Sequence, residues 1–310
     1  MKVYRLLPVA LLALFAGCSG DSLSTLVTSA PHSAVRWMNA VPDTMPMDYR
    51  IVDIVTNANE ASVAYGGSSG AYRSVPPGQH HIRVFPASTV AAACNGPDVV
   101  SKVLLDTTVT FAVNHYYTIL HAGYMKAGAS PSQRLIVTDD VFPAATAGHI
   151  SLRVASGFGT ATDVFMLAAA DTGTSIVAPA AYPNLGFGTV TPYASIATAA
   201  TPPTGMSYRI SAAAAGTTTP RLANGLLPVG TPAYTGSTSV PPLDPVGGSE
   251  QDGSVLTTVV LPTAVSYTLT SSGTASNCPA AGVKTVVAAG KTGLVVTLVD
   301  KNPKDPVLGQ

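Results

Sequence analysis

The chain has 310 residues and no formal net charge, because 16 Lys and Arg residues balance 16 Asp and Glu residues. This balance leaves no basic field that would attract nucleic acid, so nucleic-acid binding is excluded as a function class. Charged residues form only 10% of the chain, against about 25% in typical globular domains. With 46% hydrophobic residues, the chain is too apolar to be disordered throughout.

The N-terminus has the pattern of an export signal. Lys2 and Arg5 form a short positive segment, and an apolar run from Leu6 to Ala16 follows it. That run is too short for a transmembrane helix, which needs about 20 apolar residues. We therefore predict that residues 1–17 are a cleaved signal peptide.

The end of this signal, Ala16-Gly17-Cys18, resembles the lipobox of bacterial lipoproteins. The resemblance implies that Cys18 is lipidated and becomes the mature N-terminus, and that the protein reaches its membrane partner through this lipid anchor. Phe15 departs from the pattern, which usually has Leu there. An ordinary secretory signal with a chance cysteine is the alternative. The resemblance implies a location in the cell envelope, and in a Gram-negative host Ser19 after the cysteine favours the outer membrane over the inner membrane.

Two further cysteines remain, Cys94 and Cys278. The envelope is an oxidising compartment, so this pair can form a disulfide. The two residues lie far apart in the sequence, and two free buried thiols are the alternative. Residues 18–33 are small and polar after the lipidated cysteine and are predicted to form a flexible tether.

From residue 34 onward, short alternating or β-branched runs are broken by Gly, Pro and Asn about every ten residues. Examples are AVRWMNA, HHIRVFP and YYTILHA. No segment keeps a 3.6-residue apolar period over three turns. The pattern predicts an all-β protein of two tandem Ig-like antiparallel β-sandwich modules that follow the signal peptide.

The second module repeats the first. VRWMNA at 35–40 returns as LRVASG at 152–157, AYGGSSGAYRSV at 64–75 as GFGTVTPYASI at 186–196, and HIRVF as YRISA at 208–212. We also match HYYTIL to VSYTLT at 265–270 and LIVTDD to VTLVDKN at 296–302. The predicted modules are 34–145 and 148–302, with a Pro- and Gly-rich loop insertion near 216–255 in the second and a tail at 303–310.

Three blocks of the first module, VRWMNAVPDTMPMDY, SVPPGQHHIRV and LIVTDD, resemble the domain of unknown function 4397 family. This resemblance covers most of 34–145 and, more loosely, 148–302. It implies exported β-sandwich modules, often in tandem and in lipoproteins. It implies no activity, substrate or catalytic residue.

Gly66-Gly67-Ser68-Ser69-Gly70 fits G-x-S-x-G, the nucleophile elbow of esterases. That elbow needs a helix after the serine, whereas this stretch is flanked by strand-like runs. The aromatic–glycine pair Tyr65-Gly66 recurs as Phe187-Gly188, but the serine does not recur. We therefore predict a hairpin turn with no catalytic role for Ser68.

The sequence predicts no catalytic, metal or cofactor site. His80 and His81 are adjacent and face opposite sides of a strand. His115 and His121 share a face without a recognisable third zinc ligand. Calcium binding at Asp139, Asp140 or Asp300 is equally unsupported by any pattern.

Tyrosines offer the one candidate binding surface. Tyr72, Tyr116 and Tyr117 could stack on sugar rings if exposed, while most aromatics are expected to be core residues, as for Trp37 and Tyr65. Only one of Tyr116 and Tyr117 can face outward from a strand.

We conclude that the sequence favours a non-catalytic cell-envelope lipoprotein, a structural or interaction module whose partner is an envelope polymer or protein. The alternative is a carbohydrate-binding or adhesion module that uses the tyrosines. An envelope hydrolase is the weakest of the three hypotheses. Neither the ligand nor the oligomeric state follows from the sequence.

Overall fold

In the computed structural model, the chain forms β-strands and connecting loops, with no helix among the residues described. These are residues 31–44, 46–87, 103–125, 128–171, 176–198, 208–220, 225–237, 239–264, 266–268, 283–285 and 293–305. Residues His32–Gln310 form one compact unit. The prediction of an all-β fold is confirmed. Across the described part, no helical segment has the length and hydropathy that a bilayer crossing requires.

Two four-stranded sheets form the first half of this unit. Its strands are β1 (Ser33–Ala40), β2 (Met47–Ile51), β3 (Glu60–Val63), β4 (Arg73–Val75), β5 (Gly78–Pro86), β6 (Leu105–Phe111), β7 (Tyr116–Ala122) and β8 (Arg134–Asp139). One sheet has the order β4-β1-β7-β8 and the other β3-β2-β5-β6. All pairings are antiparallel except β1 with β7, which is parallel.

The second half repeats this topology. Its strands are β9 (His149–Ser156), β10 (Thr162–Ala168), β11 (Tyr182–Leu185), β12 (Ala194–Ala197), β13 (Tyr208–Ala214), β14 (Gly225–Leu226), β15 (Val255–Pro262), β16 (Ser266–Thr268), β17 (Val283–Thr285) and β18 (Gly293–Lys301). The sheets have the orders β12-β9-β15-β18 and β11-β10-β13-β14, with β9 and β15 again parallel. Strands β16 and β17 form a separate pair.

One predicted match between the halves is wrong. The strand that occupies the place of β7 is β15, VLTTVVLP, and not the VSYTLT stretch at 265–270. Seven of the eight β15 residues are buried, so both faces are covered and the strand shows no alternating pattern. A strand covered on both faces reads as a continuous apolar run. The VSYTLT stretch contains β16, which pairs only with β17 among the described strands.

The two sheets of each half enclose a hydrophobic core, and alternation along the strands decides which residues enter it. In the first half, Trp37 is fully buried and stacks on Tyr49 with 5.2 Å between ring centroids. Its indole Nε1 donates a 2.7 Å hydrogen bond to the Ala58 carbonyl. The second core includes Leu152 of β9 and Leu256 of β15, which are both fully buried.

A third cluster of buried residues lies between the halves. Met38 and Leu120, on the other face of β1 and β7, pack against Ala155, Val259 and Leu298 of the second half. The sheets β4-β1-β7-β8 and β12-β9-β15-β18 therefore face each other as the two inner layers of the unit. Every residue of β1 is buried, because one face of this strand meets the first core and the other meets the second half.

The largest difference between the halves is the connection before β15. Residues 227–254 join β14 to β15, where the first half has only the turn at 112–115. The predicted insertion at 216–255 overlaps this connection. Two isolated bridges, Thr231 with Val246 and Tyr234 with Leu243, hold part of it as a hairpin.

Candidate functional site

The topology places the same four residue types at the same four positions of the two inner sheets. Arg36 is paired with Thr118 across β1 and β7, and Arg153 is paired with Thr257 across β9 and β15. We call the full set the interhalf cluster; its members are Arg36, Tyr72, Thr118 and Asp140 of the first half and Arg153, Tyr193, Thr257 and Asp300 of the second.

Each arginine crosses to the aspartate of the other half. Arg36 Nη2 lies 2.5 Å from Asp300 Oδ1, and neither side chain is exposed to solvent. Arg153 forms the reciprocal ion pair with Asp140, whose side chain is also fully buried. These two ion pairs connect the halves through contacts that repeat with the roles of the halves exchanged.

Within each half, hydroxyl groups complete the coordination of the carboxylates. Asp140 Oδ2 accepts hydrogen bonds from Thr118, at 2.6 Å, and from Tyr72, at 2.7 Å. Asp300 Oδ2 accepts in the same way from Thr257, at 2.5 Å, and from Tyr193, at 2.8 Å. Buried carboxylates are stable only when their oxygens are satisfied, and these contacts supply that condition.

Each guanidinium also lies over the ring of its own half's tyrosine. The distance from Cζ to the ring centroid is 4.5 Å both for Arg36 over Tyr72 and for Arg153 over Tyr193. This is a cation–π geometry, which contributes more when water is excluded. The repeated tyrosine therefore has a defined role in both halves: it orients the arginine and donates to the aspartate.

The surrounding charges keep the arginines ionised despite their burial. Burial lowers the pKa of Arg36, but the negative charge of Asp300, its hydrogen bond to the guanidinium and the charge of Asp140 act in the opposite direction, so the pKa lies above its ordinary value. For Arg153, burial is likewise outweighed, chiefly by Asp140, and the pKa is raised. Burial raises the pKa of Tyr72 and of Tyr193, so both hydroxyls stay protonated and can donate. The cluster is a permanent set of buried ion pairs.

The two arginines differ in one respect. Arg153 Nε donates to Thr257 Oγ1 at 2.7 Å, whereas Arg36 uses Nη2 for Thr118, at 2.8 Å. Arg36 Nη1 donates to the Val299 carbonyl at 3.2 Å. Its buried Nε has no hydrogen-bond partner in the described part of the chain. The hydrogen bonding of the two guanidinium groups therefore differs between the halves, and the difference lies next to Val299.

A cleft of about 400 Å³ opens beside the cluster on this side. Its lining residues come from both halves and are Ala71, Tyr72, Tyr116, Phe142, Val299, Asp300, Lys301, Asn302 and Asp305. Small-molecule sites typically have volumes of about 300–1,000 Å³, with aromatic walls and a few polar groups. The cleft has this size and composition, and we regard it as the candidate functional site.

Three half-buried aromatic rings form the first-half wall of the cleft. Tyr116 contacts Phe142 with 4.8 Å between centroids, and Tyr72 meets Tyr116 edge to face at 5.1 Å. The structure therefore brings together two of the three tyrosines predicted to be available for stacking. It does not bring Tyr117 there: this side chain is only 7% exposed and belongs to the first hydrophobic core. The prediction of Tyr117 as a stacking residue is wrong, because β7 turns it towards Phe111.

The opposite wall is polar and comes from the end of β18 and the residues after it. Asp305 Oδ2 accepts from the backbone N–H of Asn302 at 3.0 Å and from its side-chain amide at 2.8 Å. The Asn302 carbonyl oxygen of the side chain accepts from Gly247 N–H at 2.8 Å. These bonds connect the segment 302–305 internally and to Gly247, so contacts within the protein position the polar wall.

Ser68 lies in a turn, as the sequence predicts. Gly66 has φ of +75°, and its counterpart Gly188 has φ of +76°. Ser68 itself forms an isolated bridge with Met38, as Val190 does with Ala155 in the second half. Its hydroxyl accepts from Gly70 N–H at 3.2 Å. The geometry repeats between the halves although the serine is replaced by valine.

Replacing Ser68 with alanine should therefore change little. We expect the free energy of unfolding of Ser68→Ala to fall by no more than about 1 kcal/mol, the usual contribution of one exposed hydrogen bond. Urea denaturation followed by fluorescence measures this, since Trp37 is the single tryptophan. Hydrolysis of a panel of p-nitrophenyl esters by the wild type that disappears in Ser68→Ala would contradict our interpretation.

Histidines and carboxylates do not converge on a metal site in the described residues, where no group of three His, Cys, Asp or Glu side chains could hold an ion. His115 pairs with Asp139, with Nδ1 and Oδ2 2.7 Å apart. His80 and His81 bind different aspartates, Asp53 and Asp106, on opposite faces of β5. The carboxylates considered for calcium, Asp140 and Asp300, belong to the interhalf cluster.

Sequence reasoning missed the arginines of the cluster. Arg36 and Arg153 occupy the same position in the matched stretches VRWMNA and LRVASG. The prediction from these stretches used only their apolar residues. A charged residue within an otherwise apolar strand, repeated in both halves, was the available signal. Cys18, Cys94 and Cys278 lie outside the described residues, so lipidation and the disulfide stay predictions.

Comparison with known families agrees with the resemblance seen in the sequence. Residues 33–164 match the family described as a domain of unknown function, DUF4397. The matched region begins with β1, includes every strand of the first half and extends into β10. It contains Arg36, Tyr72, Thr118, Asp140 and Arg153 of the cluster. No curated protein matches the chain.

Proposed function

We propose, starting from the match of residues 33–164 to the family described as a domain of unknown function, DUF4397, that the protein is a non-catalytic lipoprotein of the bacterial cell envelope. It acts there as a structural or interaction module with an envelope polymer or protein as its partner. Each half is an Ig-like sandwich, and Cys18 carries the lipid that anchors the mature protein. In a Gram-negative host, Ser19 directs it to the outer membrane.

The interhalf cluster is the observation that supports a structural or interaction module, whereas the proposed anchor rests on the sequence Ala16-Gly17-Cys18. The buried charged residues of the cluster bind each other across the halves, with Arg36 against Asp300 and Arg153 against Asp140. A catalytic base or nucleophile must be available to a substrate, whereas both carboxylates of the cluster are already engaged by an arginine, a threonine and a tyrosine. The charges therefore serve to fix the relative orientation of the halves, which is what a binding or structural module requires.

Anchoring is tested by replacing the predicted lipidated cysteine. We expect cells that express the full chain with Cys18→Ser to lose both incorporation of labelled palmitate and recovery of the protein in the membrane fraction. Lipidation by two or more acyl chains gives stable membrane attachment, so the loss should be nearly complete. Labelling followed by fractionation measures both quantities.

Cys94→Ser is the matched control, because it removes a cysteine without touching the signal. It should keep the label and the membrane location. A Cys18→Ser protein that is still labelled and still sediments with membranes would overturn the proposed anchor.

A further inference from the structure

The aromatic wall of the cleft belongs to the first half alone. Counting along β7 and β15 from the paired threonines of the cluster, Tyr116 corresponds to Val255. Counting two residues beyond the paired aspartates, Phe142 corresponds to Asn302. Tyr72 and Asp300 line the cleft and also belong to the interhalf cluster, so they recur as Tyr193 and Asp140. Tyr116 and Phe142 do not recur and are therefore not explained by the interface that both halves need.

The rings do not form a cage for a cation. Their centroids lie 4.8 Å apart for Tyr116 with Phe142 and 5.1 Å apart for Tyr72 with Tyr116, so the rings contact one another and leave no room between them. One face of Tyr72 is already covered by the Arg36 guanidinium. The three rings, packed against one another, supply the apolar part of the cleft lining.

The charges at the cleft cancel. Asp300 is neutralised by Arg36, and the remaining ionic residues of the lining are one cation, Lys301, and one anion, Asp305. An anionic or cationic ligand would meet no excess of the opposite charge here, so electrostatics favours neither. A neutral ligand that both donates and accepts hydrogen bonds fits such a wall.

We propose that the cleft binds a neutral carbohydrate. The C–H faces of a sugar ring stack on Tyr116 and Phe142, because partly positive C–H groups are attracted to the negative face of an aromatic ring. Its hydroxyl groups donate to the Asp305 carboxylate and accept from the Lys301 ammonium. This inference rests on the proposed function, since it names the envelope polymer class to which an interaction module would bind.

The experiment uses the full-length protein, purified in a detergent without a sugar head group. It is screened on an array of cello-, malto-, xylo- and chito-oligosaccharides together with polygalacturonate and heparin fragments. Titration calorimetry then follows with the neutral oligosaccharide that gives the strongest signal. We expect binding to at least one neutral oligosaccharide and none to the charged glycans.

Two substitutions convert the cleft residues to those of the second half, Tyr116→Val and Phe142→Asn. Each should weaken binding at least tenfold, while the melting temperature measured alongside shows that the protein is folded. Asp305→Ala should weaken binding with little change in melting temperature, because Asp305 is exposed and the substitution removes only its local hydrogen bonds to Asn302; it guards against misfolding of the aromatic variants. Tyr234→Ala is the control, because Tyr234 is an exposed tyrosine in the 227–254 connection, away from the cleft lining.

Absence of binding to every neutral oligosaccharide, binding to charged glycans only, or unchanged affinity in Tyr116→Val and Asp305→Ala would each overturn the inference. These outcomes leave the proposed envelope function standing if Cys18→Ser abolishes anchoring. If the protein binds a neutral oligosaccharide but Cys18→Ser is still labelled with palmitate and still sediments with membranes, only the lipoprotein assignment is overturned.

Discussion

Replacing Asp300 with alanine should lower the free energy of unfolding by about 3–5 kcal/mol. Removal of one partner from a buried ion pair costs this much because the other charge is left buried without compensation. In Asp300→Ala, the charge left without its partner is the guanidinium of Arg36, whose side chain has no solvent exposure. Tyr193 and Thr257 also lose the oxygen to which they donate. Urea denaturation of the full-length protein in detergent measures the loss.

Three comparisons separate this effect from a general loss of contacts. Asp140→Ala removes the reciprocal aspartate and should destabilise to a similar extent. Asp244→Ala removes one side of the exposed pair with Lys304 and should stay close to the wild type, since exposed ion pairs contribute little. The double substitution Arg36→Met with Asp300→Leu should recover much of the loss, because it removes both charges of this ion pair and leaves neither buried without its partner. A loss in Asp300→Ala no larger than in Asp244→Ala would contradict the role of the cluster.

The duplication explains why so polar a cluster occurs between two apolar sheets. Each half supplies one arginine and one aspartate at corresponding positions, so bringing the halves face to face creates two ion pairs at once. Both ion pairs cross between the halves, since Arg36 pairs with Asp300 and Arg153 with Asp140. Met38 and Val259 supply apolar contact around them, but apolar contact does not fix a register. We infer that the ion pairs select a single relative orientation of the halves.

The parts of the fold that depend on local pattern could be predicted from the sequence. The alternation of apolar and polar residues along HHIRVFP predicted the strand that is β5. The glycines around Ser68 predicted the turn in which this serine lies. Recurrence of Tyr65-Gly66 as Phe187-Gly188 correctly aligned the turns, and both aromatic side chains pack between the halves. These features need only short-range information, because a turn or an alternating strand is determined by its own residues.

Features that depend on burial from both sides could not be predicted in this way. Strand β15 is covered on both faces, so its residues show no alternation, and the more strand-like VSYTLT was matched to β7 in its place. The choice between Tyr116 and Tyr117 depends on which face of β7 meets the first core. The contact of Arg36 with Asp300 joins residues at opposite ends of the chain, and no local pattern reports it.

Acidification should destabilise the protein through His121. This side chain is fully buried, and burial lowers its pKa to about 4, although Gln133 opposes the shift. In the unfolded chain its pKa is about 6.5, so the unfolded state binds more protons between pH 6.5 and pH 4. The contribution of neutral His121 to the free energy of unfolding is therefore fully present above about pH 6.5, and it is lost as the pH drops from 6.5 to 4. The loss attributable to His121 should reach about 3 kcal/mol.

The surroundings of His121 suit the neutral ring. Its Nε2 lies 3.0 Å from Gln133 Oε1 and its Nδ1 lies 3.2 Å from the Tyr49 hydroxyl. A ring protonated on Nε2 alone donates to Gln133 and accepts from Tyr49, so both nitrogens are satisfied without a charge. A second proton would create a buried cation with no carboxylate among these partners.

The substitution His121→Gln isolates this contribution, because glutamine keeps a polar group at the position and does not titrate. Urea denaturation at pH 7.5 and pH 4.5 should show the wild type losing about 2–3 kcal/mol more than His121→Gln. Carboxylates elsewhere titrate equally in both proteins and cancel in this difference. In the second half Val260 takes the corresponding place on β15, so the fold itself does not require a titratable group there. Equal pH dependence in the two proteins would show that His121 is not the residue that senses acid.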